Sequence, residues 1–176
     1  MDKYPDYIIE RAAELWCRQL RAPFFDNGDK GRNGLLAAGL HGMLLESQMK
    51  KINNIEERIE NFRKFLIFEI KQKSDSEDYF YPYLDVDYHP CRLLADAAGN
   101  AGIPDSLFSV KSGVAIRETF VTSTFGYAGR RDNHYRLANN DWLITDITGD
   151  DISKIIAEIE SGNTMGFIIE KAAGAV

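Results

Sequence analysis

Apolar side chains recur every three or four positions through the first half of the chain and gather into short runs in the second. Pro5 suits the first turn of a helix, where its missing N–H costs nothing. After it, Ile8, Ala12 and Leu15 follow one line, and Ile9, Ala13, Trp16 and Leu20 the next. That period predicts a helix ended by Pro23, with Glu14 and Arg18 four apart on its polar side. Leu35, Leu36, Leu40, Met43 and Leu44 suggest a second helix, weakened by Gly39 and Gly42. Asn54 with Glu57 reads as a capping box for a third helix, ending near Lys73. Its stripe is Ile55, Ile59, Phe62 and Leu66, widened by Phe65. Ser74 to Asp78 reads as a solvated loop before the aromatic run Tyr79-Phe80-Tyr81-Pro82-Tyr83. Pro90 then opens a fourth helix through Leu93, Leu94, Ala97 and Ala98, stopped by Gly99 or Gly102.

Beyond it the period changes to that of strands. Val114 and Ile116 alternate with smaller or polar neighbours, and Phe120 to Phe125 is rich in strand formers. His134 to Leu137 returns after a turn, Asn139-Asn140-Asp141 marks a tight hairpin, and Trp142 to Ile147 is the next strand. A short helix carries Ile152, Ile155, Ile156 and Ile159, capped by Thr148 or Asp150 and broken at Gly162-Asn163. Met165 to Ile169 reads as a last strand. Helices mainly over 5–102 and strands mainly over 108–170 predict one α+β domain across 1–176. Its helical N-terminal half packs on one face of a C-terminal antiparallel β-meander, with one further helix.

The chain has 176 residues, 44% hydrophobic and 27% charged, which suits a globular domain rather than a disordered one. A net charge of −6 argues against wholesale attraction to nucleic acid or anionic lipid. Cys17 and Cys91 fall in different predicted helices without CxxC spacing, so a reducing compartment is expected. The polar start, Met1-Asp-Lys-Tyr-Pro-Asp, is unlike a signal peptide, and no apolar run approaches the roughly 20 residues of a membrane span. These features predict a cytoplasmic protein without a membrane partner.

Candidate chemistry is sparse. The loop from Asp26 to Gly34 is dense in Gly, Asn and Asp, with Asp26, Asn27 and Asp29 as its binding candidates. An EF-hand from Asp26 would place Gly28, Lys30 and Ala37 at ligand positions, which rules it out. A P-loop fails for want of a closing Gly-Lys-Ser/Thr and of a preceding strand, so the plain reading is an Asx-rich turn. His89-Pro90-Cys91 holds the parts of a thiol nucleophile. Cys91 sits in the first turn of a helix, where the macrodipole lowers a thiol's pKa; His89 is a base, and Asp85 and Asp87 are able to orient it. The plainer alternative is a small core cysteine beside a surface histidine. Zinc would draw on Cys17, Cys91, His41, His89 and His134, but no pair has ligand spacing, so neither metal nor cofactor is expected.

Charge is unevenly placed. Lys111, Arg117, Arg130, Arg131 and Arg136 against Glu118 and Asp132 leave residues 111–136 at +3, interleaved with Phe120, Phe125, Tyr127 and Tyr135. Such a hairpin is able to stack single-stranded bases, although aromatics facing the core are the simpler expectation. Two acidic stretches oppose it. Asp75, Glu77, Asp78, Asp85 and Asp87 give −5 over residues 74–87, and residues 141–160 carry another −5. Such surfaces suit solubility, or recognition of a basic protein.

Two runs carry a resemblance. One is Ala13-x-x-Trp16 with Leu20, Pro23 and Phe25-Asp26-Asn27-Gly28-Asp29. The other is Leu84-Asp85-Val86-Asp87-Tyr88-x-Pro90-Cys91, followed by a helix and Ala101-Gly102-Ile103. Together, over roughly residues 8–127, they resemble an uncharacterised group of small proteins found in bacteria and on phages and other mobile elements. The resemblance implies a genomic setting and no activity. It also implies that the Asp26–Asp29 and Asp85–Cys91 segments belong to one framework.

The leading expectation is therefore a non-enzymatic, acidic binding protein with a protein partner, encoded by a prophage or other mobile element. The alternatives are a cysteine-dependent hydrolase or transferase using Cys91 and His89, with Asp87, and a single-strand nucleic-acid binder through residues 111–136. For binding, Arg130 and Arg131 join Asp85 and the loop residues as candidates.

Overall fold

A computed structural model describes residues 4–21, 43, 47–76, 82–126, 129–149, 151–164 and 166–171. Helix α1 spans Asp6–Arg21 and α2 Ile55–Ser76; strand β1, Tyr83–Val86, precedes α3, Arg92–Ala101. Strands β2 (Ser112–Ile116), β3 (Phe120–Thr124), β4 (Asp132–Arg136) and β5 (Trp142–Thr145) follow, then α4 (Asp151–Glu160) and β6 (Ile168–Glu170). The six strands form one antiparallel sheet in chain order, β1-β2-β3-β4-β5-β6. This is the expected α+β meander with a further helix. The helix predicted around Leu35 to Leu44 and the Asp26–Gly34 loop lie outside the described residues.

Register decides which side chains meet which layer. Val114 pairs with Ser123, Ile116 with Val121, Val121 with His134, Arg136 with Trp142, and Trp142 with Glu170, so these residues share one face. Partners directly across an antiparallel ladder lie on the same side. That face receives α1, with α2 packed against both α1 and α3. Trp16 is fully buried there, edge-on to Phe108 at 5.8 Å and to Phe125 at 5.4 Å. Edge-to-face rings gain about 1 kcal/mol beyond their buried area. The opposite face presents Phe120, Tyr135, Leu143 and Ile169, and it packs against Ile152, Ile155, Ile156 and Ile159 of α4. The last helix thus covers the far side of the sheet, and the expectation of all helices on one face is corrected. An all-isoleucine stripe is equally content on either face, which is why its pattern did not choose.

Three other expectations change. The aromatic run at Tyr83 is the start of a strand, β1, paired with β2 through Leu84 and Val114; Pro82, which has no N–H to donate, stands just before it. Strand character therefore begins well before residue 108. In α2 the buried stripe is Ile59, Phe62, Leu66 and Ile70, while Phe65 and Phe68 point to solvent, and the helix runs three residues past Lys73 to Ser76. Asn54 precedes α2 at φ 58, a left-handed conformation that Asn tolerates better than most residues, instead of the extended backbone of a capping box. At the end of α3, Gly102 (φ 68) donates to Gly99 O and Ile103 to Ala98 O, a Schellman closure. The Asn139-Asn140-Asp141 turn is as predicted, with Asn140 at φ 72 and the Asn139 side chain accepting from the Asp141 N–H at 3.0 Å.

Candidate functional site

The sequence-predicted thiol segment is a turn. Cys91 N–H donates to Asp85 O at 2.7 Å and Pro90 bridges Val86, so residues 87–90 fold back over the end of β1. Asp85 is half-buried, whereas Asp87, Tyr88 and His89 are exposed. The Asp87 carboxylate is paired with the Lys111 ammonium, which also lies 4.5 Å from the Tyr88 ring centre. Asp87 therefore serves to pin β2 to the turn. Cys91 occupies the cap position of α3, and burial pushes its thiol up, outweighing the opposite pull of the Leu94 and Leu93 backbone N–H groups. The downward shift expected from the macrodipole does not prevail, because the thiol is half-buried among apolar neighbours.

The basic hairpin is likewise engaged. Arg130 pairs with Asp132 at 3.1 Å and reaches Asp146 at 3.5 Å; Arg131 is exposed. Phe125 packs on Trp16 and Phe120 on Tyr135 at 4.9 Å, so these aromatics face the cores. Of the zinc candidates, His134 and Cys17 are buried in different places and His41 lies outside the described residues. Among the described residues no group of three or more His, Cys, Asp and Glu is arranged to hold a metal ion, and no helix is long and apolar enough to cross a membrane.

The charged chemistry lies elsewhere, between α1 and strands β4 to β6. Arg11 is 2% exposed. Its Nη1 donates to Glu14 at 3.0 Å, and its Nη2 to Glu170 at 2.7 Å and to His134 Nδ1 at 3.0 Å. Arg18 donates from Nη1 to both Glu170 oxygens and from Nε and Nη2 to Glu14. Glu170 on the last strand thus bridges two arginines of the first helix, and these arginines hold its carboxyl below the usual range despite burial. Burying a guanidinium is tolerable only with such partners.

His134 completes the arrangement. Its Nε2 lies 2.9 Å from Ser123 Oγ. Serine, imidazole and a carboxylate in sequence resemble a nucleophile with its base, but the direction of the protons is reversed. Arginine has only donors, so His134 Nδ1 must be the bare, accepting nitrogen, and Nε2 then carries the proton. A nucleophilic serine needs the opposite, a bare Nε2 to take its proton and an Nδ1–H directed at a carboxylate. Burial, reinforced by Arg11, lowers the His134 pKa to about 3, so the ring stays neutral in this tautomer. Ser123 is an acceptor for a structural histidine.

Beside this buried network runs an open groove of about 570 Å³. One wall is the polar stripe of α1, from Tyr7 through Glu10, Glu14 and Arg18 to Arg21, a span of about 20 Å at 1.5 Å per residue. Glu60 and Arg63 of α2 close one end; Arg136, Asn140 and Trp142 of the β4–β5 hairpin, with Lys171, form the other. At the hairpin end the Arg136 guanidinium lies 5.2 Å from the Trp142 ring centre and 5.6 Å from that of Tyr7. Arg11 lies 4.9 Å from the same Trp142 ring. The cations differ in how far they are committed. Arg11 and Arg18 are each paired with both Glu14 and Glu170, Arg21 pairs with Glu56, and Arg63 with Glu60. Arg136 makes no ion pair among the described residues; it lies over the two rings and lines the groove.

Of these residues only Arg136 and His134 are among the candidates that the sequence offers, each in another role. A signal for the rest was present. Arg11 and Gln19 fall in phase with Ile8, Ala12 and Leu15, so two polar side chains occupy a face otherwise apolar. A cation in that phase must find partners inside. What α1 alone cannot reveal is that the partner is Glu170, 159 residues away. Comparison of the chain with protein-family models, with curated proteins and with solved structures finds no match.

Proposed function

We propose that the chain is a non-enzymatic binding protein that holds a protein partner in the groove between α1 and the β4–β5 hairpin. The observation that carries this reading is Arg136, a guanidinium held over Tyr7 and Trp142 with no carboxylate of its own among the described residues. Tyr, Trp and Arg are the side chains that most often concentrate binding energy in protein interfaces. The reversed tautomer at His134 and the raised Cys91 thiol support recognition over nucleophilic catalysis. A cytoplasmic location and a prophage or other mobile element as the source remain part of the proposal, with the partner supplied by the host or by a competing element. Affinity capture from lysate of the source cells tests it, using the intact chain and Arg136→Glu in parallel. The expected result is a stoichiometric protein retained by the first and lost from the second. Equal recovery by both places recognition elsewhere and overturns the reading.

A further inference from the structure

We infer that the groove takes an extended protein segment bearing spaced carboxylates, one of which is received by Arg136. This inference rests on the groove being the recognition surface, and it names the chemistry of what binds there. Three observations favour it. First, charge falls in blocks along the groove: Arg136 and Lys171 at the hairpin end, Glu10 and Glu14 in the middle of α1, and Arg18 and Arg21 toward its C-terminus. The uncommitted cations are thus local, and a ligand with isolated carboxylates matches them. A phosphodiester backbone, charged at every unit, would meet Glu10 and Glu14 at close range.

Second, the Trp142 ring is not available as a stacking platform. Trp142 is 4% exposed, with guanidinium groups of Arg11 and Arg136 over it, so a nucleobase has no free face there. Third, the Arg136 fork is pre-oriented. A guanidinium already held by two rings loses little freedom on taking a carboxylate bidentate, which favours Arg over Lys at such a point. The span of about 20 Å accommodates about six residues of extended chain at 3.3 Å each.

Fluorescence anisotropy tests this with a labelled peptide of alternating serine and glutamate, about eight residues long so that it overfills the groove. The comparison probes are the serine–glutamine analogue and an oligothymidylate of equal charge. The expected result is saturable binding of the acidic peptide alone, weakened about tenfold or more in Arg136→Gln and less in Lys171→Gln, as for loss of a charge-assisted pair against a single exposed cation. Arg130→Gln, whose cation lies outside the groove, leaves binding unchanged. Thermal melts of each variant show whether folding is retained, and Lys171→Gln, an exposed position, keeps the test open should Arg136→Gln melt early. Absence of acidic-peptide binding, unchanged affinity in both groove variants, or tighter binding of the oligothymidylate overturns the inference. The two readings fail separately. A partner captured through Arg136 that competes with none of these probes sinks the acidic segment and leaves the groove, whereas peptide binding indifferent to Arg136 sinks both.

Discussion

Arg11 on α1 and His134 on β4 stand 123 residues apart and share a 3.0 Å contact between Nη2 and Nδ1 that leaves the imidazole only one neutral form. The donor-only chemistry of arginine decides the tautomer, and the tautomer decides that Ser123 receives a hydrogen bond. One cation on the first helix therefore sets the polarity of a pair of strands.

Acid stability should report this contact. The His134 pKa falls from 6.5 to about 3 on folding, so between those values the unfolded chain binds a proton that the folded chain refuses. Stability is then complete above about pH 6.5 and drains as pH falls toward 3, by a total on the order of 5 kcal/mol from this group. Glu170, whose carboxyl is depressed, acts in the same direction at lower pH: its contribution is whole above its unfolded value and is lost as pH drops through its folded one. Urea titrations at pH 7.5, 6 and 5 should show a falling midpoint, and His134→Gln, which cannot titrate, should flatten the decline between pH 7 and 5. A midpoint independent of pH over that range contradicts the buried neutral imidazole.

Glu170→Gln removes the anion that serves Arg11 and Arg18 together. The Arg11 side chain, 1% exposed, is left with Glu14 as its one anion beside the neutral His134, and breaking a buried pair on one side costs about 3 kcal/mol or more. Arg18→Gln, replacing the more exposed partner, should cost under about 1 kcal/mol. Chemical denaturation of the two variants measures the contrast, and equal losses would place the burden on Arg18.

Both thiols should be slow. Cys17 is buried, its Sγ is 3.8 Å from Ile59 O, and burial pushes its pKa to about 12; Cys91 is raised for the same reason. Iodoacetamide at pH 7.5 should label Cys17 only after unfolding and Cys91 more slowly than a free thiol. Labelling of Cys91 faster than that reference would revive the nucleophile.

Gly102→Ala tests the close of α3. A Cβ there would strike the Arg58 guanidinium, which donates to Gly102 O at 2.6 Å, and φ 68 is itself unfavourable for Ala. The expected loss is about 1–2 kcal/mol, read as a fall of several degrees in Tm. An unchanged melt would mean that Arg58 swings clear and the backbone relaxes.

The helices of the described residues were legible because their apolar spacing is regular and their ends carry Pro5 and Gly102. The hairpin at Asn139 to Asp141 was legible because its turn chemistry is local. What escaped is non-local. Strand β1 hides in an aromatic run whose partner, β2, lies beyond an entire helix. The groove joins α1 to residues after 136, and neither segment signals the other. His134 and Ser123 were invisible as a pair until register set Val121 opposite His134. Cys91 was legible as a helix start, and its half-burial against the core fits the plainer of the two sequence readings.

The meander can zip from each strand to the next as the chain emerges, since no crossover interrupts it. The first helix cannot follow that schedule. Its Arg11 has Glu14 beside it on the same helix but meets its second counter-ion, Glu170, only once the 159 positions separating them have been made. The short strand β6 thus acts as a latch, since its Glu170 fastens both arginines of α1 to the sheet.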